Sequence, residues 1–371
     1  MSTLFYVLLV LSIYSYVIYP LLLKLLKPFY NLEIRSRDNT CPVTIIISAH
    51  NEAAIIGKKI ENSLALEYPD SELEIIVVSD GSTDGTDEIV SQFSGRNVVL
   101  ISSEIRRGKT AGLNTALTRA NGEIVIFTDA DSMFSLDTVK KFSEFFNDDS
   151  VGLVTGSTSY LSQGEEGMAR STGIYTKLEK MVKYLETLSG SCVGADGAIF
   201  AIRKSLYMPL RDDDINDLII PLNVIRSGKR VVLREDLICV EPPSADEKSA
   251  FLRQARISNR TLRALFRNLD LLNFIKYKNF SFKLISHKYI RLSTPLFMLA
   301  LIPLNLFLLE KGNQFVYFMI GQIIFYGFAI GGRNIELFKP FHHFVLVQIA
   351  ILYGWYLYLN GESMVTWNPR N

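Results

Sequence analysis

The chain has 371 residues, of which 48% are hydrophobic and only 21% are charged, and its length allows two or three domains. The formal net charge of +1 excludes the strongly basic balance that is typical of a nucleic-acid-binding protein. Three cysteines without paired spacing provide neither a zinc site nor a disulfide framework. We expect each of them to be a small buried residue in a reducing compartment.

The first element is an apolar segment at the N-terminus. Residues 4–26 hold a single charge and are long enough to span a bilayer, and no small-residue cleavage site follows them. Three further apolar blocks lie near the C-terminus, at residues 292–309, 315–332 and 344–359. We therefore predict an N-terminal transmembrane anchor over residues 1–30 and C-terminal transmembrane segments over residues 291–371.

Basic residues flank these spans on the side of the long polar segment between them. They are Lys24, Lys27, Arg35, Arg37, Lys276, Lys278, Lys283, Lys288 and Arg291. By the positive-inside rule they predict a multi-pass protein of the cell membrane whose polar domain is cytoplasmic. Three complete C-terminal spans would place the C-terminus outside, but Pro295, Pro303 and the Gly331–Gly332 pair could make one segment re-entrant. Both topologies stay open.

The polar segment alternates apolar runs, polar loops and helical patterns at a spacing of about 30 residues, which is typical of an open α/β sheet. The four apolar runs lie within residues 42–52, 72–86, 97–104 and 123–131. Ligands of such folds bind beyond the carboxyl ends of the strands. Three polar clusters occupy that edge, namely His50–Glu52, Asp80–Ser82 and Asp129–Asp131.

Three common loop motifs fail in this segment. A calcium loop beginning at Asp80 would need an acidic residue at its twelfth position, which is Ser91. A phosphate loop ending near Gly108 would need a glycine where Ser103 stands. No Gly-x-Gly-x-x-Gly follows the first strand, which argues against a dinucleotide-binding domain.

The carboxylates of Asp129 and Asp131 leave a strand end one residue apart, and they repel each other unless a positive charge lies between them. A divalent cation such as Mg²⁺ or Mn²⁺ takes one or two protein carboxylates and completes its shell with water and phosphates. The pattern favours a cation site. The alternative is that one aspartate caps the following helix while the other is solvated.

Several ordered motifs resemble the family 2 glycosyltransferases of the GT-A fold, in the membrane-integrated branch that includes cellulose and hyaluronan synthases. The motifs are "VTIIISAHNEAAIIGKKIENSL", "IIVVSDGSTDGT", "RRGKTAGLN", "IVIFTDADS" and "GADGAIFAIRK", followed by "INDLIIPLNVIRSGKRVVLRE". The resemblance implies a Rossmann-like GT-A mixed sheet as a cytoplasmic catalytic domain over residues 31–245. This domain would be flanked by the N-terminal transmembrane helix and a C-terminal transmembrane helical bundle.

The resemblance also implies roles for individual residues. Nucleotide-sugar binding is expected from Ala49, Asn51, Glu52, Asp80, Lys109, Asp129 and Ala130. Asp129 and Asp131 would be the metal-binding DxD motif, with Asp131 as the direct ligand of Mg²⁺ or Mn²⁺. Asp217 falls where the family has its general base.

Asp217 has alternatives within the same segment. It could be an ordinary helix N-cap, and the three preceding aspartates, Asp212, Asp213 and Asp214, are competitors for the role of base. Asn216 stands where relatives often carry a second acid. An inverting transfer needs one carboxylate to take the proton of the acceptor hydroxyl, while a metal stabilises the departing diphosphate.

Residues 246–290 are predicted to form amphipathic interfacial helices, because apolar residues and arginines alternate over residues 251–268. We expect most of these arginines to anchor to anionic lipids, and Arg256 also to contact the diphosphate. Processive relatives carry Gln-x-x-Arg-Trp in this helix, but residues 253–257 lack the tryptophan. Addition of one or a few sugars is therefore at least as compatible with the sequence as long polymer synthesis.

The acceptor floor is predicted within residues 189–204, with acceptor contacts from Gly194, Ala195, Asp196 and Gly197. Plain tight turns are the alternative for these glycines. Trp367 is expected to be an interfacial anchor, and the alternative is that "TWNPR" folds back as a gating segment.

The sequence thus predicts a membrane-bound inverting glycosyltransferase that uses a nucleotide-diphosphate sugar, most commonly a UDP-sugar in this family. Its acceptor would be a polysaccharide or a lipid-linked sugar, with membrane lipids and an export partner as further partners and no nucleic acid. A sugar nucleotidyltransferase would need a glycine- and lysine-rich loop where residues 48–59 stand. A degenerate, non-catalytic membrane scaffold would predict loss of Asp131 or Asp217, and both are present.

Overall fold

The structure is a computed structural model that describes residues 1–30, 40–160, 166–242 and 246–364, with backbone alone for residues 166–175. Arg35, Arg37, Trp367 and the "TWNPR" segment lie outside the described residues. The chain divides into two compact units. The helical unit comprises Met1–Leu26, Ser162–Met181 and Ser244–Ser363, and the sheet unit comprises Lys27–Leu161, Val182–Pro243 and Met364–Asn371. The four predicted segments and the boundaries between them stay predictions.

The strands within the described residues are β1 Val43–Ala49, β2 Leu73–Asp80, β3 Val98–Ser103, β4 Ile124–Asp129, β5 Met133–Phe134, β6 Val151–Tyr160, β7 Phe200–Arg203 and β8 Arg230–Glu241. The α-helices within the same residues are α1 Ser2–Ile13, α2 Tyr19–Leu26, α3 Ile56–Leu64, α4 Thr86–Ser91, α5 Lys109–Arg119, α6 Thr138–Phe145, α7 Glu166–Leu188, α8 Asn216–Arg226, α9 Glu247–Arg267, α10 Phe274–Tyr277, α11 Asn279–Leu284, α12 Ile290–Leu308, α13 Asn313–Gly331 and α14 Lys339–Leu359.

The strands form one mixed sheet in the order β3-β2-β1-β4-β7-β6-β8-β5. The strands β1 to β4 are mutually parallel, which confirms the predicted α/β half. β7 is antiparallel to both β4 and β6, and this makes the sheet mixed. Residues 45–47 and 75–77 are 0% exposed, as expected for β-branched strands covered on both faces.

The cysteines behave largely as expected. Cys192 and Cys239 are buried and Cys41 is half-buried, and all three are free thiols.

Four helices among the described residues are long and apolar enough to cross a membrane. They cover Ser2–Phe29, Asn279–Lys311, Asn313–Gly331 and Glu336–Leu359, with mean hydropathy between 1.2 and 2.0. The predicted apolar N-terminal and C-terminal segments are confirmed as helices. α12 continues through Pro295 and Pro303, and α13 ends at Gly331.

Part of the basic pattern beside these helices serves an internal ion cluster. The half-buried carboxylate of Glu179 lies 3.1 Å from His287 Nε2, 3.6 Å from Lys288 Nζ and 2.5 Å from Arg291 Nη1. Burial alone would raise the pKa of Glu179, but these three neighbours outweigh burial and hold the pKa well below its usual value. Lys288 and Arg291 therefore have a structural role in this ion cluster, in addition to the role in membrane topology that the positive-inside rule assigns to them.

Helix α9 begins at an N-cap, where Asp246 accepts a hydrogen bond of 2.6 Å from the Ser249 backbone N–H. One face of α9 packs on α14, because Gly354 lets the two backbones approach. Arg260 is buried, and Arg263 donates to the Glu362 carbonyl at 2.6 Å. Arg260 is therefore an exception to the arginines that could reach lipid headgroups, and lipid anchoring by the others stays a prediction.

Replacing Gly354 by alanine is expected to destabilise the helical unit. The added Cβ would lie 2.7 Å from Ser258 Cβ and 3.0 Å from the Ala255 carbonyl oxygen. Such overpacking typically costs about 1–3 kcal/mol, and it should lower the melting temperature of the detergent-solubilised protein. Gly321→Ala is the matched control, since its Cβ would meet no described atom within 4 Å. Equal melting temperatures for the two variants would contradict close α9–α14 packing.

Candidate active site

The predicted polar clusters meet at the carboxyl edge of the parallel strands. The register pairs Ala49 with Ser79 and Ser48 with Asp129, so β1, β2 and β4 end side by side. The loops that follow them therefore share one edge of the sheet. This is the position at which open α/β sheets bind ligands.

The loop after β1 is tied to the loop after β2. Asn51 adopts φ +54°, a left-handed conformation that asparagine tolerates, and its Oδ1 accepts the Thr83 backbone N–H at 2.8 Å. The Glu52 backbone N–H donates to Thr86 Oγ1 at 2.9 Å, and His50 Nδ1 lies 2.7 Å from the Asp80 carbonyl oxygen. Ala49 lies buried at the end of β1. These hydrogen bonds join the two loops into one surface at the carboxyl edge of the sheet.

Asp80 holds the loop that precedes α5. Its two carboxylate oxygens accept the backbone N–H groups of Arg107 and Gly108, each at 2.7 Å. Gly108 has φ +93°, which favours glycine, and the next residue, Lys109, begins α5. Asp80 therefore positions Lys109. The predicted contacts of Asp80 and Lys109 with the nucleotide stay predictions.

Lys109 connects the acidic turn to the predicted acceptor loop. Its ammonium forms an ion pair with Asp129 Oδ1 and lies 3.5 Å from the Gly197 carbonyl oxygen. The side chains of Lys109 and Asp129 are 27% and 37% exposed, so solvent reaches both. Asp131 is half-exposed and Ala130 between the two aspartates is buried, and a contact of Ala130 with the nucleotide stays a prediction.

The residues present fit a divalent cation that needs only one or two protein ligands. Among the described residues, no group of three or more histidine, cysteine, aspartate or glutamate side chains is arranged to hold a metal. The Asp129–Asp131 pair alone suits an ion that takes one or two carboxylates and fills its shell with water and substrate phosphates. The Lys109 ammonium provides the positive charge beside Asp129 in this structure.

The predicted acceptor loop is held from three sides. Gly194 has φ +79°, the Ala195 backbone N–H donates to the Asp217 carbonyl at 2.7 Å, and Lys183 Nζ donates to the Ala195 carbonyl at 3.0 Å. The Asp196 carboxylate accepts the Thr158 backbone N–H at 2.8 Å. Asp196 thus organises the loop, and acceptor contacts from the four loop residues stay predictions.

Asp217 lies in the first turn of α8, beside this loop. The N-cap of α8 is Ile215, so the N-cap alternative for Asp217 is wrong. A Cβ built on Gly197 would lie 3.3 Å from Asp217 Oδ2, and a helix N-terminus favours a charged carboxylate. Among the competitors, Asp214 is buried and its Oδ2 accepts the Arg211 backbone N–H at 2.9 Å.

Within the sheet unit Asp129 pairs with Lys109, the Lys109 ammonium lies 3.5 Å from the Gly197 carbonyl oxygen, and a Cβ built on Gly197 would lie 3.3 Å from Asp217 Oδ2. The four residues therefore form one chain of neighbours. Arg256 lies on α9 of the helical unit, and its contact with a diphosphate stays a prediction.

One group escaped the sequence analysis. Lys59 is 0% exposed on α3, and its ammonium donates to the carbonyl of Ser132, directly after Asp131. The helical pattern contained the signal, because Lys59 shares the buried face of α3 with Ile56 and Ile60. A lysine on an apolar helix face needs a partner, and only the fold shows which one it has.

The family comparison agrees with this geometry. Residues 44–210 match the model of the family described as Glycosyl transferase family 2. Over 145 residues the chain is 30% identical to "Probable glycosyltransferase YdaM" of Bacillus subtilis (strain 168), a match that covers 36% of this chain and 33% of that protein. Over 183 residues it is 28% identical to "Poly-beta-1,6-N-acetyl-D-glucosamine synthase" of Staphylococcus epidermidis, covering 48% and 44%. The matches thus span less than half the length of these relatives.

A solved structure shares the fold over nearly the whole chain. It is "Mannosyltransferase PcManGT from Pyrobaculum calidifontis in complex with GDP-Man and Mn2+", with a TM-score of 0.74, 21% identity and coverage of 96% of this chain and 99% of that one. Residues 44–210 therefore match a family 2 glycosyltransferase domain, and the mixed sheet has the GT-A fold. The predicted fold class is confirmed, and the match over these residues supports the predicted family.

Proposed function

We propose that the protein is a membrane-bound inverting glycosyltransferase, which moves a sugar from a nucleotide-diphosphate sugar to a polysaccharide or lipid-linked acceptor. The observation that carries the proposal is the contact chain from Asp129 through Lys109 and Gly197 to Asp217. It joins a site suited to a metal and a diphosphate with a half-exposed carboxylate beside a glycine-containing loop.

The residues divide the chemistry between them. Asp217 Oδ2 takes the proton of the acceptor hydroxyl, whose oxygen forms a bond to the anomeric carbon as the bond to the diphosphate oxygen breaks. Asp129 and Asp131 would hold a divalent cation, which when bound offsets the negative charge of the leaving diphosphate. Lys109 adds a positive charge at the same place. Attack opposite to the leaving group inverts the configuration at that carbon.

Asn51, Glu52 and Asp80 are proposed to face the base and ribose of the donor. The solved mannosyltransferase is described with GDP-Man and Mn²⁺, and the staphylococcal relatives are named for N-acetylglucosamine polymers. Both donor classes therefore belong in a test, with a UDP-sugar as our expectation. The four apolar helices support a membrane location, and the flanking basic residues favour a cytoplasmic active site.

Incubating the detergent-purified protein with UDP-N-acetylglucosamine, UDP-glucose and GDP-mannose, each with Mn²⁺, Mg²⁺ or EDTA, tests the proposal. We expect metal-dependent release of nucleoside diphosphate from one donor in the presence of membrane lipid extract. No release from any donor would contradict the proposal and favour a non-catalytic scaffold. Pyrophosphate release from a nucleoside triphosphate and a sugar 1-phosphate would instead favour a nucleotidyltransferase.

Replacing Gly197 by alanine is expected to lower kcat by about tenfold, because a reacting group displaced by 1 Å loses about 100-fold and this shift is smaller. The new Cβ would press on Asp217 Oδ2 from 3.3 Å. Gly57→Ala is the control, since its Cβ would make an ordinary contact of 3.5 Å with Ile89. A Gly197→Ala enzyme with the kcat of Gly57→Ala would argue against a catalytic Asp217.

A further inference from the structure

The acidic turn over residues 129–132 rests on a buried polar cluster beneath it. The backbone N–H of Ser132 donates to the Asp129 carbonyl at 3.3 Å, and its hydroxyl donates to Glu241 Oε1 at 2.5 Å. The Ser132 carbonyl accepts from the Lys59 ammonium. Each polar group of Ser132 is therefore held, and two of the partners, Lys59 and Glu241, are ionisable side chains that are almost fully buried.

Burying an ammonium group on a helix face is energetically unfavourable. Desolvating a charge is unfavourable unless partners compensate for it, and a methionine of similar length would fill the same space. Lys59 also lies 3.7 Å from the centre of the Phe134 ring, which stabilises a cation by its quadrupole. These contacts indicate that the ammonium itself is needed at this position.

The charges around Lys59 support this view. Burial lowers the pKa of Lys59 to about 7, and the carboxylates of Asp129, Asp131 and Glu241 act against that fall. Lys59 thus interacts electrostatically with both carboxylates of the turn, and Lys109 pairs directly with Asp129. Lys109 is on the solvent-accessible side of Asp129, and Lys59 is on the buried side of the turn.

We propose that Lys59 is a positioning residue for cation binding, which holds the Ser132 carbonyl from beneath and keeps Asp129 and Asp131 in the arrangement that receives a divalent ion. This inference rests on the proposed metal site at those two aspartates. Glu241 completes the support by fixing the Ser132 hydroxyl from β8. Groups behind a metal ligand shell typically change metal affinity by about 10–100-fold when they are removed.

The test is a Mn²⁺ titration of the purified full chain followed by electron paramagnetic resonance, in which bound ions lose the signal of free Mn²⁺. It is run without nucleotide and with UDP or GDP. Lys59→Met keeps the length and the contact with Phe134 but removes the donor. Lys58→Met is the matched control, because Lys58 is the exposed neighbour on the same helix.

We expect Lys59→Met to raise the Mn²⁺ dissociation constant by about tenfold or more relative to Lys58→Met, with most of kcat recovered at saturating Mn²⁺. A merely structural role would lower the melting temperature and leave the dissociation constant unchanged, and that result overturns the inference. If Lys59→Met does not fold, Lys59→Met combined with Glu241→Gln removes both buried charges together. The same loss of affinity is expected from this double variant.

The proposed metal site can fail separately. If wild type and Asp131→Asn bind Mn²⁺ equally, the proposed metal site is contradicted, and so is the proposed positioning role of Lys59. If Asp131→Asn loses binding while Lys59→Met keeps it, only the inference about Lys59 is overturned.

Discussion

Asp217→Asn is expected to lower kcat by about 10²–10⁴-fold, the usual contribution of a general base. Asparagine keeps the size of the side chain, so its packing against Gly197 and the 2.7 Å backbone hydrogen bond from Ala195 to the residue 217 carbonyl should persist. What it loses is the ability to take a proton. The KM for the donor and the melting temperature should therefore change little.

Asp212→Asn is the matched control for this variant. Asp212 is an exposed aspartate of the same segment, and it was a competitor for the role of base in the sequence. Initial-rate measurements at saturating donor and acceptor compare the two variants with wild type. A Asp217→Asn enzyme that keeps more than a tenth of wild-type kcat would assign proton transfer to another group.

Asp131→Asn is expected to lower kcat/KM by about 10²–10³-fold, since charge stabilisation by a bound metal is worth several kcal/mol and each 1.36 kcal/mol is tenfold. The carboxylate of Asp131 is half-exposed. The other carboxylate of the proposed metal site, that of Asp129, already pairs with Lys109. Loss of the Asp131 charge leaves Asp129 as the remaining anionic ligand. Mn²⁺ affinity should fall together with the rate.

Asp137→Asn serves as the control for Asp131→Asn, because it removes a carboxylate from the segment that follows the turn. Asp137 is 45% exposed and pairs with Lys141 at 2.9 Å, an i,i+4 contact worth a few tenths of a kcal/mol. Its rate and metal affinity should stay near those of wild type. Unchanged metal dependence in Asp131→Asn would place the metal elsewhere.

The strands and the reactive loops were predictable from the sequence for a physical reason. The runs that became β1, β2 and β4 are β-branched and covered on both faces, so their composition distinguishes them from amphipathic helices. Since parallel strands end at one edge, the polar residues after them had to meet. Asp129, Asp131 and the loop at Asn51 could therefore be assigned to one site before the fold was known.

The second half of the sheet could not be predicted from the sequence in this way. β7 has four residues and β5 has two, and their partners β4, β6 and β8 are far away along the chain. Short strands carry little periodic signal, and pairing between distant segments depends on tertiary contacts. The position of Asp217 beside Gly197 follows from this half, because both residues belong to the segments around β7 and α8.

The sequence by itself thus determined the resemblance to family 2 glycosyltransferases, the parallel strands, the membrane-compatible helices and the acidic pair, since each of these depends on local composition or on a short ordered motif. Only the tertiary structure decided that Asp80 holds the loop before Lys109, that Arg260 is buried and that Lys59 supports the acidic turn. Each of these facts concerns a partner distant in the chain. Hydrophobic periodicity locates a side chain on a face, but the partner of a charge is chosen by packing.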